Sequence, residues 1–188
     1  MNQLRKNSFG KDPRNEEELK SDYDASANSP IPWYLKAHDL YLAAEALKIQ
    51  VPLLQGIKPS QAIDTFKNCN YIAIICMLRG MQIECLIKGI LTSQGKITAN
   101  KGKLCLDKKF IHHNLTEICS EINGLIFNDN EISFLDSLSE YIEIGRLPFK
   151  KTAIKKKGVA IYLFPSDEDT YTNIIKKLST STEIVTST

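Results

Sequence analysis

The sequence predicts an all-α domain, and three observations carry that expectation. Apolar residues recur at helical spacing in four separate stretches, several of them opened by Pro, Ser or Asn and closed by Gly. One segment, 68–93, is apolar on nearly every side, as befits a helix surrounded by protein. β-type patterning is confined to two short runs, KLCL at 103–106 and VAIYLF at 159–164.

The elements follow in order. Residues 1–30 are polar and charged, with Pro13 and Pro30 as breakers, and read as a mobile arm in which EEELKSDY (16–23) forms at most a turn or two of helix. The helical domain is expected over 31–180. Pro32 suits a first helical turn, and WYLKAHDLYLAAEALK (33–48) carries Leu35, Leu42 and Leu47 with Ala43 and Ala46 at a helical period. Pro52, Gly56 and Pro59 bound a loop, and Ser60 is placed to cap SQAIDTFKN, which runs on into 68–93. Gly95 to Phe110 reads as a loop with a small hairpin around KLCL. HHNLTEICSEINGLIF (112–127) predicts a third helix through Leu115, Ile118, Ile122, Leu125 and Ile126, ending near Gly124. Asn130 is expected to cap a fourth, 131–145, striped by Ile132, Leu135, Leu138 and Ile142. A β-hairpin is expected near 152–164. A last helix starts at Ser166, with acidic residues behind it and Lys176 and Lys177 at its end, an order that complements the helix dipole. Residues 181–188 are expected to be a disordered tail.

Composition excludes more than it identifies. A chain of 188 residues with 43% hydrophobic and 24% charged residues can bury a core without staples. Its net charge of +2 does not by itself call for nucleic acid or membrane. Five cysteines without a C-x-x-C pair argue against a disulfide framework or a zinc site, and for a reducing, cytoplasmic setting. YIAIICML (71–78), the longest strictly apolar run, is far below the roughly 20 residues that span a bilayer. Phosphate-loop, dinucleotide-binding and nucleophile-elbow motifs do not occur, and no cofactor or metal is expected.

The chemistry-bearing residues begin in MLRGMQIECLIKGIL (77–91). On a helical wheel Glu84 and Lys88 share one face, while Arg79 and Gln82 lie nearly opposite. Glu84 and Lys88 form an i, i+4 pair in the favourable order; they either order the bundle as an ion pair or line a polar pocket. His113 opens the third helix, where structural and functional roles are equally open, whereas His112 reads as solvent-facing and His38 as a surface or satisfied core residue. Charges enclosed on a central helix need partners, so Glu84 and Lys88 are expected to meet His113 and Arg146 in one polar cluster. The stretch Arg146, Lys150, Lys151, Lys155, Lys156 and Lys157 is a solvated hairpin tip or an edge that contacts RNA or phosphate. Lys96, Lys101, Lys103, Lys108 and Lys109 extend that surface if the two loops are neighbours.

Glu84 and Lys88 in ECLIK, His113 and Leu115 in HHNL, and Arg146 and Pro148 in GRLP stand in an order that resembles a bacterial branch of the HEPN superfamily. The match covers roughly 33–150. The resemblance implies a bundle of four to five helices, often a homodimer, with RNA or a partner protein such as a nucleotidyltransferase-like antitoxin as its target. Many members are metal-independent endoribonucleases of defence or toxin–antitoxin systems; others are binding or dimerising modules. The ribonuclease branch carries Arg, four to six residues, then His on one helix, and no Arg stands at that spacing before His38, His112 or His113. Two functions therefore stand. One is an RNA-binding, degenerate ribonuclease-like module, with His113 as general base and Arg146 or Lys88 stabilising phosphate charge. The other is a non-enzymatic helical dimerisation domain.

Overall fold

The computed structural model describes residues 14–49, 62–146 and 165–186. Six helices and one two-stranded sheet make up these segments. The hairpin expected near 152–164, the Lys150–Lys157 cluster and the Ser60 cap lie outside the described residues.

The first helix, α1 (Glu16–Ala27), is three turns long, more than the turn or two expected. Its start explains the difference. Asn15 Oδ1 accepts from Glu18 N and Glu18 Oε2 accepts from Asn15 N, both at 2.9 Å, so each of two otherwise orphaned amides donates to the other residue's side chain. Three glutamates in the first turn complement the dipole. No α1 residue is buried; the helix lies against the hairpin that follows α3.

α2 (Ile31–Lys48) and α3 (Ala62–Ser93) make the largest interface of the fold. α3 is one continuous helix at its centre, and between 71 and 93 only Ile74 is exposed. The expectation for α2 is corrected. Its buried face is Ala37, Leu40 and Ala44, whereas Leu35 and Leu42 are 62% and 52% exposed. The physical reason is close approach: a Cβ at Gly89 would run into the Tyr34 ring, so the helices meet where side chains are small. The larger leucines are turned outward.

After α3, Gly95 at φ +70° ends the helix in a left-handed cap. β1 (Thr98–Asn100) and β2 (Lys103–Cys105) pair antiparallel, with Thr98 opposite Cys105 and Asn100 opposite Lys103. Lys101 and Gly102, both at positive φ, form the two-residue turn. Asn28 treats this edge as a strand would: Oδ1 accepts from Ala99 N at 2.7 Å, and Nδ2 donates to Ala99 O at 3.1 Å.

The third expected helix is much shorter, α4 (Leu115–Cys119), and passes into tight turns up to Gly124. Lys96 Nζ donates to the Glu121 carbonyl, which a continuing helix would have needed, and Lys109 holds the Glu121 carboxylate at 2.7 Å. Leu115, Ile118 and Ile122 are buried as the pattern required, but Ile126 is 79% exposed. α5 (Asp129–Arg146) buries Leu135, Leu138 and Ile142 against α3, where Gly80 leaves room for the Ile142 side chain. Its cap is Asn128, not Asn130: Asn128 and Glu131 exchange side-chain-to-backbone bonds of 2.9 and 2.8 Å. α6 (Pro165–Thr186) continues past Lys177, into residues expected to be a tail. Tyr171, Ile174 and Leu178 anchor it, and the Ser179, Thr180 and Ser181 hydroxyls bond carbonyls four residues back, which is compatible with continued helix.

The core is a single cluster around α3, built from Ile83, Ile87, Ile90 and Leu91 with apolar residues of α4, α5 and α6. Among the described residues no helix is long and apolar enough to cross a membrane.

Candidate functional site

His113 precedes α4, and the residues that follow it are held in place. Asn114 caps the helix through Glu117 N, while Leu115 N donates to Ser139 Oγ on α5 at 2.9 Å. Thr116 Oγ1 donates to Asp136 of α5 at 2.6 Å. These bonds set the imidazole over α3.

There it meets the charged pair. Lys88 Nζ donates to Glu84 Oε1 at 2.6 Å, and His113 Nδ1 lies 2.8 Å from Glu84 Oε2. Glu84 and Lys88 are buried at 7% and 9% exposure, and the His113 side chain is 24% exposed. A carboxylate only accepts, so Nδ1 carries the hydrogen; in the neutral ring this puts the basic lone pair on Nε2. The Lys88 ammonium also stands 5.6 Å from the centroid of the Trp33 ring on α2. Lys88 of α3 and His113 at the α4 entry thus converge on one carboxylate, with Trp33 of α2 beside the ammonium.

The structure brings together Glu84, Lys88 and His113, three of the residues singled out in the sequence. Arg146 is the last residue of α5, but its side chain lies outside the described residues. Lys150, Lys151, Lys155, Lys156 and Lys157 do too. In the other lysine group, Lys96 and Lys109 are committed to Glu121, while Lys101, Lys103 and Lys108 are exposed. His112 and His38 are exposed, the latter stacked on Tyr41 at 6.5 Å. Trp33 was missed in the sequence; its signal was being the only tryptophan, placed just after Pro32.

The opposite face of α3 holds a second polar group. Arg79, 1% exposed, donates from Nη1 to Glu168 Oε1 at 2.8 Å and from Nη2 to Glu45 Oε1 at 3.0 Å. Lys48 reaches Glu168 at 2.7 Å, and the guanidinium lies 4.3 Å from the Tyr171 centroid. Gln82 Oε1 accepts from the Tyr171 hydroxyl at 2.5 Å. Both Nη groups are paired within the bundle, while Arg79 Nε is buried without a hydrogen-bond partner among the described residues; the pairs clamp α2, α3 and α6. Burial pushes the Cys76 and Cys119 thiols up to about 12 and Cys85 up to about 11, which disfavours thiolate chemistry at these three. Among the described residues no three His, Cys, Asp or Glu side chains gather to hold a metal.

Fold and site together define a helical bundle carrying a carboxylate–imidazole–ammonium group in the seam between its helices. Compared with protein families, curated proteins and solved structures, the chain matches none.

Proposed function

We propose that this chain is an RNA-binding helical module of bacterial defence or toxin–antitoxin type, HEPN-like in its motif order, acting through Glu84, Lys88 and His113. The observation that supports it most is the contact of His113 with Glu84, residues 29 positions apart, at 2.8 Å. A buried carboxylate that orients a part-exposed imidazole is the arrangement that aims a ring nitrogen at a hydroxyl, and a ribose 2′-hydroxyl is the hydroxyl that RNA offers. Lys88 balances the carboxylate. The lysines that follow Arg146 in the sequence supply the counterion-releasing charge.

The test is binding and integrity of labelled single-stranded RNA with the full chain, followed by anisotropy and gel. His113→Ala is expected to abolish binding or cleavage while shifting the melting temperature by no more than about 2 °C, since the ring is part-exposed. Unchanged RNA affinity in His113→Ala and in Lys88→Met, both still folded, refutes the proposal.

A second reading, the dimerisation domain, draws on α2. Ile31, Leu35, Leu42 and Ile49 are 60%, 62%, 52% and 82% exposed, and with His38 between them they follow the alternating spacing of a helix–helix seam. Under this reading a second copy or a partner helix covers the stripe. Sedimentation of the wild type as a dimer, and of Leu35→Glu with Leu42→Glu as a monomer, is the expected result; a monomeric wild type at tens of micromolar defeats it.

A further inference from the structure

Beside Trp33, α1, the start of α2 and β2 border an open cavity of about 330 Å³. Tyr23 and Trp33 supply its aromatic walls, Leu104, Ala27 and Pro32 its apolar surface, and Lys36 its cationic rim. The wall has a purpose-built look in its charges. On α1, Asp22 is taken by Arg14 at 2.5 Å, and Asp24 accepts from Gly102 N at 2.9 Å. Lys36 makes no ion pair among the described residues, and Lys101 and Lys103 stand exposed on the hairpin beside Leu104. Asp22 and Asp24 are thus occupied, while Lys36 is unpaired among the described residues and Lys101 and Lys103 are exposed.

We infer that this cavity is a base-binding subsite: it takes one unpaired nucleobase of a single-stranded RNA, stacked on Trp33, with a flanking phosphate at Lys36. The inference rests on the RNA reading above and deepens it. Single-stranded RNA is recognised by splaying out bases onto aromatic rings beside cations that track the backbone. A largely apolar cavity walled by Tyr23 and Trp33, with Lys36 unpaired among the described residues, suits that ligand, whereas an aliphatic ligand would need no cation and a duplex would not enter. The subsite is coupled to the candidate site by a shared side chain, since Lys88 touches both the Trp33 face and Glu84.

Trp33 is the chain's only tryptophan; its ring lines this cavity and also faces Lys88, so its fluorescence is read together with Ser26→Phe, which fills the cavity alone. The full chain is titrated with a single-stranded RNA hexamer, with the same sequence as duplex, and with nucleoside monophosphates; anisotropy of a labelled hexamer is followed in parallel. Saturable quenching by the single strand and not the duplex is expected. Ser26→Phe, on the exposed face of α1 and filling the cavity, is expected to weaken hexamer binding roughly fivefold to a hundredfold, the range one stacked base supplies. Lys36→Ala is expected to weaken it less and to flatten its salt dependence. Hexamer binding by anisotropy without quenching, and unaffected by Ser26→Phe, overturns the subsite and leaves the RNA reading standing. Quenching by monophosphates with no hexamer binding overturns both, as does the absence of any binding.

Discussion

Arg79 shows how one side chain can hold three helices. A buried guanidinium costs several kcal/mol in desolvation, which the two carboxylates and the Tyr171 ring offset in place. Removing it leaves Glu45 and Glu168, 34% and 26% exposed, with Lys48 as their one remaining cation among the described residues. Arg79→Met is therefore expected to cost about 3 kcal/mol, the low end for a broken buried pair, measured by urea unfolding at neutral pH. Burial raises the Glu168 carboxyl, but hydrogen bonds from Arg79 and Lys48 outweigh it and hold the group below its ordinary 4.5. A depressed folded value means stability that is present above 4.5 and lost as pH falls through the folded value. The urea midpoint should drop across that acid window in the wild type. It should drop less in Arg79→Met with Lys48→Met, where the cause of the depression is gone.

Among the elements, α5 depends on an end that sequence reasoning placed two residues late. Asn128 is the residue whose side chain meets the helix amides, and its partner Glu131, 3% exposed, also receives Lys177 of α6 at 2.6 Å. The cap thus joins two helices as well as starting one. Asn128→Ala is expected to cost about 1 kcal/mol, and Asn130→Ala less than about 0.5 kcal/mol. Equal effects in thermal unfolding would show that the cap does not act as described. The same logic of close fit governs α2 and α3, where Gly89 and Tyr34 interlock and decide which face of α2 is inside.

For the molecule as a whole, α1 is an attached layer and not part of the core. It buries no residue, yet it supplies Asn28 and Asp24 to the hairpin and one wall of the cavity. Deleting residues 1–28 is expected to leave the remaining helices folded and to cost about 2–3 kcal/mol, roughly the sum of the few hydrogen bonds lost. Hydrogen exchange should accelerate selectively at the Ala99 and Gly102 amides. Protection unchanged at both would mean that α1 does not hold the hairpin.

Periodicity and charge placement, both local properties, were enough to determine a helical chain with 68–93 at its centre. They also separated Glu84 and Lys88 from Arg79 and Gln82, because a wheel needs only the 100° step between residues. The α5 stripe was legible for the same reason. What the sequence left open was decided by contacts between distant residues. α2 is apolar on two sides, so its period does not choose a face; Gly89 on another helix does. α4 stops early because Lys96 and Lys109, upstream of it, claim Glu121. Glu168 looked like a dipole-complementing residue, and only the packing of α6 made it the partner of Arg79. The meeting of Glu84 and His113 was legible, because enclosed charges need partners; that Nδ1 closes to 2.8 Å was decided by α4 being pinned to α5 through Ser139 and Asp136, a long-range arrangement that no spacing rule encodes.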